Sequence, residues 1–100
     1  MEKRTWHYSL DEIKEVVRSR GIHVFTRIAR ENGFKMGLTH AQLIEVVLNL
    51  RVADLYKSMT THNDHTLWQD VYHATTPNGK IAYIKLTLQA GAVVIQFKEK

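Results

Sequence analysis

The alternation that runs from Lys80 almost to the C-terminus constrains this chain more than any other feature. In "KIAYIKLTLQAGAVVIQFK" apolar residues recur at every second position on both sides of Gln89-Ala90-Gly91. That is the pattern of two half-buried strands joined by a tight turn. A two-residue turn at Ala90-Gly91 pairs Gln89 with Ala92 and so fixes the register. Leu88 then faces Val93, Leu86 faces Ile95 and Ile84 faces Phe97, all apolar and all on one face. The other face sets Lys85 against Gln96 and Tyr83 against Lys98. A phenol and an ammonium become cross-strand neighbours, their Cβ atoms about 5 Å apart. If helices cover the apolar face, the tyrosine–lysine face stays open.

The helices come first in the chain. Ser9-Leu10-Asp11-Glu12 reads as a capping box, with Tyr8 and Ile13 placed as its hydrophobic staple. Leu10, Ile13, Val16 and Val17 form an apolar stripe at helical spacing, and Gly21 ends the helix. Ile22 to Thr26 reads as a short strand, and Thr26 caps a brief second helix ending at Asn32-Gly33. Thr39-His40-Ala41-Gln42 is a second capping box, stapled by Leu38 and Leu43; Leu43, Val46, Val47 and Leu50 give the third helix its buried face. After Arg51 the period changes to two. Leu55 to Met59, Leu67 to His73, Lys80 to Leu88 and Ala92 to Lys98 are the expected strands. Three helices segregated on one face of an antiparallel-rich sheet make an α+β fold. At 100 residues the chain fits one domain, spanning 1–100.

Composition narrows the chemistry. There is no cysteine, which removes disulfides, thiolate metal sites and a cysteine nucleophile. The N-terminus lacks the apolar core of a signal peptide and no run is long enough to span a bilayer, so the expected location is the cytoplasm, without a membrane partner. The formal charge of +4 favours polyanionic partners. No carboxylate falls between Val71 and Lys98, whereas Lys80 and Lys85 do. A phosphate backbone meets least repulsion there.

Six histidines raise the question of a metal. His62 and His65 bracket Asp64, but in a Thr/Asn-rich loop with no second tight pair of ligands, so the expected reading is a polar connection and no metal site. Trp68 and Tyr72 share one parity of "LWQDVYH" and are expected in the core; Gln69 and His73 take the other parity, beside Tyr83. Asp70 falls on the aromatic parity, which suggests a bulge or an edge position. No P-loop, serine triad or dinucleotide fingerprint occurs.

A basic face without metal ligands can still cleave RNA, because the substrate carries its own nucleophile, the 2′-hydroxyl. The protein must take that proton, protonate the leaving 5′-oxygen and stabilise charge on the phosphorane. Lysine, tyrosine and histidine do this work. Two rival functions use the same residues differently. One is a non-catalytic RNA- or DNA-binding module built on the basic sheet, and the other is a metal-dependent hydrolase built on His62, Asp64 and His65.

"MEKRT" at the start, "YKSMTT", "DHT-x-WQDVY", "YIKL" and the terminal "FKEK" together resemble the MqsR toxins of bacterial type II toxin–antitoxin systems. The resemblance spans nearly the whole chain and is strongest from Asp54 onward. Between Gly21 and Leu50 it rests on helical pattern alone. It implies a RelE-like fold and an mRNA interferase that cleaves messenger RNA at GC-containing triplets, typically GCU, without the ribosome. It also implies an antitoxin partner similar to MqsA, and calls for no cofactor. Carried onto this sequence, the family's active-site residues are Lys57 in "YKSM", Gln69 in "WQDV", Tyr83 in the following strand and Lys98 in "FKEK". Lys57 and Lys98 are then expected at the phosphate and Gln69 as an orienting group. Tyr83 is expected either to transfer a proton or to stack on a base. His65, His73 and Lys85 are secondary candidates for RNA contact, the histidines because they titrate near neutrality. One position departs from the family pattern: His73 stands where an arginine follows "DVY".

Overall fold

A computed structural model describes residues 1–100. The strands are β1 (Glu2–Lys3), β2 (Leu55–Thr60), β3 (Trp68–Thr75), β4 (Ile81–Gln89) and β5 (Ala92–Glu99). The helices are α1 (Leu10–Arg20), α2 (Arg27–Lys35) and α3 (His40–Leu48). The five strands form one antiparallel sheet in the order β1-β2-β3-β4-β5. The fold is α+β, with all three helices inserted between β1 and β2.

The β4–β5 register is the one that the alternation dictates. Gln89 pairs with Ala92, Leu88 with Val93, Leu86 with Ile95, Ile84 with Phe97, and Tyr83 with Lys98. Ala90 and Gly91 both take positive φ, 50° and 78°, as a tight hairpin turn requires. Ile84, Leu86, Ile95 and Phe97 join Ile13, Val17, Leu43 and Val47 in one core. At roughly 1.5–3 kcal/mol for each large apolar side chain fully buried, this layer is the main source of stability.

The caps explain where each helix begins. Ser9 Oγ accepts from Glu12 N, and Thr26 Oγ1 accepts from Ala29 N. Thr39 and Gln42 close a complete capping box. At α1 only the Ser9 half of the expected box forms. The two amides just upstream, of His7 and Tyr8, donate instead to the buried Asp70 carboxylate at 2.8–3.0 Å. This is why Asp70 interrupts the aromatic parity of β3. It anchors the N-terminal segment to the sheet, opposite Leu86 on β4. Of the two aromatics on that parity, Tyr72 is fully in the core, whereas Trp68 lies half-buried at the margin, stacked on His7.

Two further expectations are corrected. Ile22 to Thr26 is not a strand: Gly21–Val24 forms a 3-10 helix, and only Phe25 bridges to Ile95, in parallel. Strand propensity loses here because the tight turn buries both Val24 and Phe25. The second helix also runs past Asn32-Gly33. Gly33 is interior and buried; a Cβ on it would lie 2.7 Å from the Leu43 methyls, so its role is close approach of α2 to α3. The stop comes at Gly37 (φ 82°), where Leu38 N bonds to Gly33 O and Gly37 N to Phe34 O, a Schellman motif. The two-residue strand β1, too short to leave a periodic signal, is an addition to the expected set.

Alpha2 lies along β5, the edge strand. Thr26 N donates to Ile95 O and Asn32 Nδ2 to Phe97 O. The edge is thereby covered. No helix of the chain is long and apolar enough to cross a membrane.

Candidate active site

The sheet face turned away from the helix core carries the chemistry-bearing residues, and strand pairing decides which of them meet. His73 on β3 pairs with Tyr83 on β4, and Tyr83 pairs with Lys98 on β5. On the next row Lys57 pairs with Val71, Val71 with Lys85, and Lys85 with Gln96. Gln69, opposite Met59, completes the face one step further along. Lys57, Gln69, Tyr83 and Lys98 therefore share a face, as do His73 and Lys85.

A bulge in β2 adds a residue that the sequence pattern hides. The register shifts between Leu55 and Lys57, so Tyr56 and Lys57, neighbours that ordinary pleating would send to opposite faces, both reach this one. Tyr56 stacks on His73 with centroids 4.4 Å apart, and His73 lies 5.4 Å from Tyr83. A row of three aromatic rings thus crosses β2, β3 and β4. Cations flank it at both ends: Lys98 Nζ is 5.1 Å from the Tyr83 centroid, Lys57 Nζ 5.4 Å and the Arg4 guanidinium 5.5 Å from that of Tyr56. Arg4 also donates to Tyr56 O at 3.2 Å. Alternation could not have revealed Tyr56, because the bulge breaks it. Arg4 lies in the "MEKRT" stretch, but nothing in the spacing shows where that segment folds back.

Glu2 was not singled out by the sequence either. Its carboxylate meets Lys57 Nζ at 2.6 Å, held there because β1 pairs Glu2 with Met59. The hydrogen bond and charge of Lys57 hold Glu2 below the usual carboxylate range, and donating that bond to Glu2 raises the Lys57 pKa further. Lys57 is a cation at any physiological pH. His73 moves the other way. Burial of its ring, reinforced by the Lys100 ammonium, lowers its pKa, and its Nε2 is buried with no hydrogen-bond partner. A second N–H on that ring would find no acceptor, so the neutral form is favoured.

Gln69 is the least accessible of the expected residues, at 8% exposure, whereas Lys98 is exposed. His65 lies apart in the β2–β3 connection, exposed and without a contact to the aromatic row. Asp64, next to it, accepts from Thr66 N and Thr66 Oγ1 at 2.9 and 2.6 Å. These bonds, the side-chain one foremost, lower its pKa. The loop is tied by its own turn, and its histidines and Asp64 do not form a cluster of metal-ligating groups.

An aromatic row edged by lysines on an open sheet is suited to flat, anionic ligands such as single-stranded nucleic acid. The family described as "Motility quorum-sensing regulator, toxin of MqsA" matches residues 5–99. A protein of Escherichia coli (strain K12) named mRNA interferase toxin MqsR is 40% identical over 100 residues, covering 100% of both chains. A match over almost every residue, including the strands β2 to β5 that build the open face, leaves one assignment: this chain belongs to the MqsR toxin family.

Proposed function

We propose that the chain is the toxin of a type II toxin–antitoxin pair and acts as an endoribonuclease on messenger RNA in the cytoplasm. The observation that carries this reading is the aromatic row Tyr56–His73–Tyr83 with Lys57 and Lys98 at its ends. Bases stack on such a row while the phosphates between them meet the ammonium groups. Lys57 and Lys98 neutralise charge as it builds on the phosphorane. Tyr83, in the row and opposite Lys98, either relays the 2′-hydroxyl proton to the leaving 5′-oxygen or serves as a stacking platform for a base. Gln69 orients the substrate from beneath. His73 and Lys85 extend the RNA-contacting surface, and His65 reaches RNA only beyond the row.

The 2′-hydroxyl is the nucleophile in this scheme, so the reaction asks nothing of a metal ion. Cleavage at GC-containing triplets, independence of the ribosome and neutralisation by an MqsA-like antitoxin follow from family membership and are proposed on that ground. Purified protein should therefore cut single-stranded RNA in EDTA, leaving 2′,3′-cyclic phosphate and 5′-hydroxyl ends. Ends bearing 5′-phosphate contradict the mechanism. Stoichiometric protection of RNA without new ends would instead favour a binding module using the same stacked row.

A further inference from the structure

Beside the aromatic row lies a cleft of about 380 Å³ between α2 and the open face of β4–β5. Its lining includes Thr26, Ile28, Asn32, Tyr83, Gln96 and Lys98. We propose that this cleft seats the nucleobase next to the scissile phosphate and reads its identity. The proposal rests on the RNA-cleaving reading above and names the subsite that reading lacks.

Lys85 and Lys98 in the lining can take the phosphates that flank a base, and the neutral amide and hydroxyl groups beside them suit the base itself. Asn32 Nδ2 donates to Phe97 O at 3.0 Å, and because that carbonyl can only accept, the amide orientation is fixed. Asn32 Oδ1 is left with no partner among the hydrogen bonds of the chain. An unpaired carbonyl-type acceptor repels an anion and selects a ligand with an N–H edge. Gln96 is exposed and makes no side-chain hydrogen bond, so its amide offers a donor and an acceptor together. Thr26 Oγ1 already accepts from Ala29 N, and its hydroxyl proton remains available. Nucleobase edges present this mixture of donors and acceptors, and phosphates do not.

The apolar part of the cleft fits the same ligand. Ile28 is 63% exposed, a large aliphatic chain that contributes little to the core and lines the same cleft as Tyr83. A flat ring held between an aliphatic and an aromatic wall buries both of its faces. The cleft also shares Tyr83 and Lys98 with the proposed reaction site. A base bound here therefore belongs to a nucleotide adjoining the cut. Selectivity arises because a mismatched base leaves Asn32 Oδ1 or the Gln96 amide desolvated and unpaired.

The test has two arms. In the first, cut sites are mapped on RNA of randomised sequence for the wild type, Gln96→Ala and Asn32→Ala. Base preference at one position beside the cut should fall by on the order of tenfold in both variants, with preferences elsewhere retained. Asn32→Ala also loses its bond to Phe97, so Gln96→Ala, on an exposed side chain, carries the arm should the other variant not fold. An unchanged profile for Gln96→Ala overturns the proposal. In the second arm, the wild type is titrated with uncleavable 2′-O-methyl trinucleotides differing in one base, and the side-chain amides of Asn32 and Gln96 are followed by NMR. Base-dependent shifts there support the subsite, even in a protein that cuts nothing, in which case the catalytic reading alone falls. Efficient cleavage with silent Asn32 and Gln96 amides overturns the subsite and leaves the catalytic reading standing.

Discussion

Tyr83 and Lys98 stand directly opposite each other on β4 and β5, with the lysine Nζ 5.1 Å from the tyrosine ring centroid. Neither packs in the core that Ile84 and Phe97 build on the other face of the same two strands. Function and stability can therefore be separated here. Lys98→Ala should lower single-turnover cleavage by on the order of 100-fold, as for loss of one charge-stabilising group. Its denaturation midpoint should shift by less than about 0.5 kcal/mol in stability. Tyr83→Phe keeps the ring and deletes the hydroxyl, so a comparable loss assigns proton transfer, and a loss of a few-fold assigns stacking. A Lys98→Ala protein that cuts like the wild type removes the proposed site.

On the proposed function, Glu2, which meets Lys57 Nζ at 2.6 Å, competes with RNA for that ammonium. Glu2→Gln should therefore tighten binding of a 2′-O-methyl RNA by a few-fold at low salt and less at high salt, since exposed ion pairs are weak and screened. Fluorescence anisotropy across a salt series measures this. Weaker binding in the variant would mean that Glu2 positions Lys57 and does not compete for it.

His73 makes a pH prediction. Its pKa is lowered in the folded protein by burial and by Lys100, so the unfolded chain binds its proton more readily. Stability attached to the neutral ring is present above the unfolded value, near 6.5, and is lost as pH falls through the lower folded value. Stability should thus decline on acidification below about pH 6.5, the ordinary imidazole value. His73→Phe, which retains a ring between Tyr56 and Tyr83, should flatten that part of the profile. Urea midpoints of both proteins between neutral pH and the onset of carboxylate titration decide the matter; parallel profiles would assign the acid sensitivity elsewhere.

Asp70 holds the N-terminal segment through the amides of His7 and Tyr8. Asp70→Ala strands two backbone donors, one buried and one partly buried, and should cost roughly 2–4 kcal/mol. Asp70→Asn, which keeps one acceptor, should cost less. Chemical denaturation reads both. A loss below that of an ordinary surface substitution for Asp70→Ala would mean that water replaces the carboxylate.

Much of this was legible in the chain itself. The β4–β5 alternation, with its two-residue turn, was enough to place Tyr83 opposite Lys98, because pleating has a period of two and a turn of fixed length leaves no freedom of register. The caps at Ser9, Thr26 and Thr39 were legible because capping is a local bond between a side chain and an amide three residues on. What the chain does not encode locally is where segments distant in sequence are brought together. The β2 bulge that turns Tyr56 onto His73 depends on how β2 meets β3. The Glu2–Lys57 contact depends on β1 folding back across the whole helical segment. Gly33 reads as a helix end until Leu43 is packed against it, and Ile22 to Thr26 reads as a strand until burial selects a tight turn. The cleft between α2 and β5 exists only because Asn32 and Thr26 bond to an edge strand more than sixty residues away. Periodicity and capping are properties of neighbours, so the sequence determined the four long strands β2 to β5, the two faces of the β4–β5 hairpin and the tyrosine–lysine pair. The aromatic row, its carboxylate and its cleft are long-range contacts, which only the tertiary structure decided.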